Sequence, residues 1–169
     1  SLAAHPMVKA GILDGYVERS LIWEHGGVWL KSRPDCIPND SGDFADLKTC
    51  ASVRTDDLRR ALGQFQYPMQ AALTGMGSRA VLQRELQTFT LVFVEKDAPH
   101  CVRIISIKPD DIERAARKVD VAVNLFSECW ESGKWPGPGE QNDAEFMDVP
   151  EWSRKSDDDR LALYDLEHS

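Results

Sequence analysis

Two carboxylates and a lysine are spaced so that they could share one task. Asp35 follows Arg33-Pro34, ten residues separate it from Asp46, and Lys48 comes two positions later. Along an extended strand residues i and i+2 share a face, so Asp46 and Lys48 are expected to point the same way. A hairpin between them would put Asp35 on the neighbouring antiparallel strand, near the same end. Such a trio suits hydrolysis of a phosphodiester. Hard carboxylate oxygens hold magnesium or manganese. The ion acidifies water and screens the phosphate, while the lysine steadies the attacking water or the charge that develops on phosphorus. The Leu47 carbonyl is a further candidate metal ligand, and the Thr49 hydroxyl a candidate contact to backbone or DNA. Taken alone, the short pattern has a plainer meaning as well: Asp35 as a turn residue after Pro34, and Asp46 with Lys48 as a surface ion pair on an edge strand.

The elements that must position this trio can be read from the pattern around it. His5 to Leu13 is a short helical or turn-rich lead-in. Val17 to Glu24 and Val28 to Ile37 are strands joined at Gly26-Gly27, with Val28, Leu30 and Ser32 on one face and Trp29, Lys31 and Arg33 on the other. Pro38 to Gly42 is a turn, and Asp43 to Thr49 a third strand. The period then becomes helical over Asp56 to Gln64 and Tyr67 to Leu73, with a break near Pro68, and again over Ser78 to Gln87. Thr88 to Glu95 and Cys101 to Ile107 form a hairpin rich in β-branched and aromatic residues. Pro109 opens a long helix that Gly133 stops, with Ile112, Ala116, Val119, Val123, Phe126 and Trp130 at core spacing. Trp135 to Gly139 is irregular, and the polar remainder drapes over the surface. This order predicts an α/β domain with a mixed central sheet flanked by helices.

The 169 residues suit one domain, and 42% hydrophobic with 28% charged residues is an ordinary globular composition. No apolar run approaches the roughly 20 residues that span a bilayer, and Ser1 to Ala10 lacks the apolar stretch of a secretory signal. A cytoplasmic protein with no membrane partner is expected. Cys36, Cys50, Cys101 and Cys129 lie too far apart for a zinc or redox motif and read as reduced thiols. The net charge of −8 counts against a protein that coats nucleic acid, but not against an enzyme whose positive charge lies in one cleft. Much of the acid sits late: residues 143–167 hold nine Asp or Glu against three Lys or Arg. Lys31, Arg33, Arg54, Arg59, Arg60 and Arg79 are candidate phosphate contacts. His25 and His100 fall in turns and are expected to be solvated. Trp130 and Trp135 are expected to pin the loop to the long helix, with base stacking as the rival reading.

The pattern Pro34-Asp35, then ten residues, then Asp46-Leu47-Lys48 resembles the PD-(D/E)XK nuclease superfamily. Three further stretches extend the likeness: Tyr67-Pro68-Met69-Gln70-Ala71-Ala72-Leu73, Val94-Glu95-Lys96-Asp97-Ala98-Pro99, and Cys129 to Gly137 with its Trp135-Pro136-Gly137. They look like the glutamine, VEK-x-x-P and C-x-x-x-G-x-WPG motifs of RecE-type (exodeoxyribonuclease VIII-like) phage and prophage exonucleases. The resemblance implies a restriction-endonuclease-like core over residues 1–153 that lacks its first core helix, followed by an acidic C-terminal tail over 154–169. It implies Asp35 and Asp46 as metal ligands, Lys48 as the catalytic lysine, and Gln70 as a contact to the nucleophile or the DNA backbone. Where the family motif carries a tyrosine after this glutamine, the chain has Thr74, whose hydroxyl is shorter. The family's upstream helix with a metal-binding His or Glu has no counterpart before Asp35; it either precedes Ser1 or has been lost. The resemblance further implies magnesium- or manganese-dependent exonuclease action on linear double-stranded DNA with 5′ to 3′ polarity, in phage-type recombination. A homo-oligomeric ring and a single-strand annealing partner go with that reading. The rivals are another RecB-like repair nuclease, or a relative of the same fold that binds DNA or protein without cutting.

Overall fold

The computed structural model describes residues 2–137, 144 and 146–167 of the chain. A 3-10 turn (Leu2–Ala4) and a short helix α1 (Pro6–Lys9) lead into strands β1 (Tyr16–Val17), β2 (Leu21–His25), β3 (Val28–Ser32), β4 (Cys36–Ile37) and β5 (Asp43–Cys50). Helices α2 (Thr55–Gln64) and α3 (Tyr67–Gly77) follow, then β6 (Thr88–Glu95), β7 (Val102–Ser106), the long helix α4 (Pro109–Ser132) and helix α5 (Glu151–Glu167). Two compact units divide the chain at Lys134 and Trp135. The first holds both sheets and the core, and the second holds α5.

The central sheet has the order β1-β4-β5-β6-β7, and β2 with β3 forms a separate two-stranded ribbon. Only β5 and β6 pair in parallel within the central sheet, from Asp43↔Thr88 to Cys50↔Glu95; the other neighbours are antiparallel. A parallel pair needs a crossover, and α2 with α3 supply it. Phe44 on β5 and Phe89, Leu91 and Phe93 on β6 share one face of the sheet and are buried with Leu58 of α2 and Ala71 of α3. Phe89 and Leu91 have no solvent exposure, so this face is the core of the first unit.

Several elements differ from the sequence-based expectation. The strand expected over Val28 to Ile37 is two strands in different sheets. The alternation along Val28–Ser32 holds, with Trp29 and Lys31 exposed, but Arg33-Pro34-Asp35 breaks the run. Proline supplies no N–H to a ladder, so the chain leaves the ribbon there and enters the central sheet. The break near Pro68 is a full separation: Gln66 takes left-handed backbone angles (φ 52°) between α2 and α3. The helix expected over Ser78 to Gln87 is a single π-helical turn, Ser78–Leu82, ended by left-handed Gln83. Gly133 stops α4 at φ 67°, as its position implied. Along α4, Val119 and Val123 are buried as expected, but Phe126 and Trp130 stack on each other at the surface, with ring centroids 6.1 Å apart. The polar remainder contains a helix over Glu151–Glu167. Pro138 and Gly139 of the irregular loop lie outside the described residues, whereas Trp135 is exposed.

Close approach shapes the hairpin ahead of β5. A Cβ on Gly42 would lie 2.1 Å from the Glu85 carbonyl oxygen, so no side chain fits there. The Gly42 carbonyl accepts from Gln87 N–H at 2.8 Å. The Arg84 guanidinium donates to the carbonyls of Pro38, Asn39 and Ser41 at 2.6, 3.0 and 3.1 Å. These bonds fix the turn between β4 and β5, and with it the relative placement of the two strands.

Candidate active site

β4 and β5 pair at Cys36↔Ala45 in antiparallel register. One step further along that register sets Asp35 opposite Asp46, as the hairpin reading requires. Asp35 Oδ2 accepts a hydrogen bond from Leu47 N–H at 2.7 Å. The N–H and C=O of one strand residue face the same edge, so the Leu47 carbonyl is directed to the Asp35 side as well. Lys48 Nζ pairs with Asp46 Oδ2, and Asp46 Oδ1 accepts from Gln70 Nε2 of α3 at 2.8 Å. Five residues thus meet through three contacts centred on Asp46 and the Asp35–Leu47 edge.

Asp46 is only 1% exposed, which removes the reading of Asp46 and Lys48 as a surface ion pair. Burial pushes its carboxyl above the ordinary carboxylate value. The hydrogen bond and charge of Lys48 oppose that rise, the Asp35 charge adds to it, and the Asp35 backbone N–H opposes it; burial prevails. Asp46 Oδ2 is the strained point. It has the ammonium as counter-charge, yet among the described residues no hydrogen-bond donor is aligned on it. A buried carboxylate oxygen in that state is costly.

The remaining candidates are placed as follows. Thr49 is exposed and alternates to the face opposite Lys48. Arg33 is exposed, with Nε 3.3 Å from Glu18, whose backbone N–H donates to the Asp35 carbonyl. Thr74 is fully buried, and its hydroxyl meets Ser32 Oγ at 3.0 Å, tying α3 to β3. Arg79 pairs with Glu85 at 2.6 Å, Arg60 with Asp57 at 3.6 Å and Arg59 with Asp56 at 3.9 Å. His25 is not merely solvated: its Nε2 meets Asp120 Oδ1 at 2.7 Å and links the ribbon to α4. His100 Nδ1 meets the Glu95 carbonyl at 3.2 Å.

Tyr67 packs edge-on to Phe93, with ring centroids 5.9 Å apart. Its ring also lies under Lys48 Nζ, 5.3 Å from the centroid, within range of a cation–π contact. Burial raises its phenol pKa, with Lys48 opposing and Asp46 adding. The available signal was the three-residue step from Tyr67 to Gln70, which puts both on one helix face. Arg84 carried no such signal, because its partners are backbone carbonyls.

The oxygen set suits a divalent ion. Two carboxylates and one carbonyl fit magnesium, which keeps several waters and takes further oxygens from substrate phosphate. The buried Asp46 Oδ2 without an aligned donor is the atom that such an ion would satisfy. Among the described residues no third His, Cys, Asp or Glu joins the pair.

A family model, the PDDEXK-like domain of unknown function (DUF3799), matches residues 1–146. The chain belongs to that family. The PDDEXK-like assignment and the five-stranded mixed sheet flanked by helices make the first unit a restriction-endonuclease-like α/β fold, as the sequence implied. Among solved structures the chain is similar to one described as "Putative exonuclease" from Eubacterium rectale, with a TM-score of 0.68 at 18% identity over 88% of this chain. The chain spans 59% of that protein's length. A second structure, SSO0001, superposes at a TM-score of 0.44 with 19% identity over 70% of this chain and 54% of that one, too loosely to bear on the argument. No curated protein matches the chain. Among the described residues of this PDDEXK-like protein no helix is long and apolar enough to cross a membrane.

Proposed function

We propose that this PDDEXK-like domain is a metal-dependent deoxyribonuclease. The observation that carries the reading is the buried Asp46 set opposite Asp35 in strand register, with Lys48 and Gln70 on its two oxygens. Lys48 does not fully offset the burial of Asp46, so a second cation would stabilise its carboxylate further. Asp35, Asp46 and the Leu47 carbonyl would hold magnesium or manganese. When bound, the ion supplies screening of the phosphate and a more acidic water.

The chain's own groups then have separable tasks. Lys48, paired with Asp46 here, is the ammonium nearest the reacting phosphate, where it offsets charge as the oxygen of water bonds to phosphorus. The phosphorus–oxygen bond to the departing strand breaks, and the proton ends on that departing oxygen. Gln70 keeps Asp46 Oδ1 oriented, and Oδ2, which pairs with Lys48 here, is the oxygen the ion would share. Thr49 and Arg33, both exposed near the strand ends, are the contacts to the DNA backbone, whereas Thr74 spends its hydroxyl on Ser32.

The substrate is linear double-stranded DNA, cut as an exonuclease with 5′ to 3′ polarity. The Gln70, Val94-Glu95-Lys96 and Trp135-Pro136-Gly137 stretches support a RecE-type enzyme of phage-type recombination in the bacterial cytoplasm. A homo-oligomeric ring and a single-strand annealing partner belong to the same reading. A second reading, a binding module that no longer cuts, is favoured by one observation: among the described residues only two carboxylates gather at the site. Incubation of linear and circular duplex DNA with magnesium or manganese separates the two. Shortening of the linear substrate alone supports the exonuclease, and binding without cleavage in either metal supports the module.

A further inference from the structure

Asp46, Lys48 and Cys50 lie in one row on the helix-covered face of β5, and the row runs outward from the core: Asp46 is buried, and Lys48 and Cys50 are half-buried. Beyond Lys48 it opens into a cleft of about 440 Å³ between the end of β5 and the α2–α3 junction. Cys50, Tyr67 and Phe93 form its inner wall, and Arg60, Phe65 and Lys96 its rim. Tyr67 belongs to both places, since the same ring lies under Lys48.

Phe65 is the unexplained member. It ends α2, is 61% exposed, and stands 5.7 Å from Tyr67 at an interplanar angle of 37°. A phenyl ring left in water beside a half-buried tyrosine offers an aromatic face to something flat. Arg60 and Lys96 bring positive charge to the same rim, and Asp57, 3.6 Å from Arg60, partly offsets it. One strand step of two residues is about 6.6–6.8 Å, so the cleft begins about that far beyond Lys48. A volume of this size lies within the range of small-ligand sites.

We propose that this cleft is a base-binding subsite, in which the nucleotide next to the reacting phosphate stacks its base on Phe65 against Tyr67 while Arg60 and Lys96 hold its phosphate. The proposal rests on the deoxyribonuclease reading and names where the substrate strand goes after it leaves Lys48. Base–aromatic stacking tolerates any sequence, because every base has a π-face, so the subsite discriminates unstacked from stacked bases rather than one base from another.

The test uses the full chain and 20-mer duplexes with phosphorothioate linkages at both ends, carrying 2-aminopurine at one of the first four positions from an end. The subsite predicts fluorescence quenching on binding at one of those positions. Phe65→Ala should remove the quenching and weaken binding about tenfold, and Phe65→Trp should restore both. Arg60→Ala with Lys96→Ala should weaken binding and flatten its salt dependence. If Phe65→Ala binds and quenches like the parent while the parent still cleaves unmodified DNA, the subsite is wrong and the nuclease reading stands. If the parent neither binds nor cleaves DNA, both fall. Circular dichroism of each variant confirms that a loss is not a loss of fold.

Discussion

The raised pKa of Asp46 fixes how the site responds to pH and to cations. Its carboxyl sits above the ordinary carboxylate value because burial penalises the charged form more than Lys48 compensates. Below the ordinary carboxylate range both folded and unfolded states are protonated and the fold keeps its full stability from this group. As pH rises through that range to the raised value, the unfolded chain ionises first, and the stability is lost. Above the raised value the ionised Asp46 therefore weighs on the fold. Asp46→Asn keeps the partner of Gln70 and removes the charge, so without metal its Tm should gain on the parent's as pH rises through that value. Magnesium should raise the Tm of the parent and leave that of Asp46→Asn unchanged. Lys48→Ala should retain the magnesium-induced shift and lose about 10²-fold or more in cleavage rate. Thermal denaturation across a pH series and cleavage rates read these outcomes.

At the scale of elements, the turn between β4 and β5 sets the distance between the two carboxylates. Arg84→Ala removes three charge-assisted bonds to carbonyls of that turn and should cost about 2–3 kcal/mol by denaturant titration. Magnesium affinity should fall with it, because Asp35 loses its register to Asp46. Gly42→Ala should also destabilise, by about 1–3 kcal/mol, since its Cβ collides with the Glu85 carbonyl. What the sequence showed of these elements follows from local physics. Thr88–Glu95 and Pro109–Ser132 were legible because β-branched alternation, a proline start and a glycine stop act within the element itself. The split of Val28 to Ile37 was not, because the alternation of side chains says nothing about which sheet a strand joins. Phe126 and Trp130 keep helical spacing but are exposed and stack on each other, so the spacing overstated the core. The proximity of Asp35, Asp46 and Lys48 followed from strand spacing, which by itself still left the surface-pair reading open. The partners of Gln70 and Tyr67 were not, because those contacts join a helix to a strand some twenty residues earlier.

For the whole molecule, the charge is as unevenly divided as the structure. The first unit holds 17 Lys or Arg against 18 Asp or Glu, and the second 3 against 10. The net charge of −8 thus lies almost wholly beyond Lys134. A chain ending at Lys134 retains the complete core cluster and should unfold cooperatively. It should also bind DNA more tightly than the full chain at low salt, with the difference vanishing as ionic strength rises. Fluorescence anisotropy across a salt series measures this. A truncated chain that unfolds without cooperativity would show that the second unit completes the fold.

The central claim is that Asp35 and Asp46 hold a divalent ion with Lys48 beside it, and calorimetric titration of the full chain with magnesium or manganese tests it most directly. The account predicts one saturable binding event per chain that Asp46→Asn and Asp35→Asn each abolish and Lys48→Ala preserves. Binding that survives both aspartate substitutions, or no binding by the parent to either metal, would contradict it.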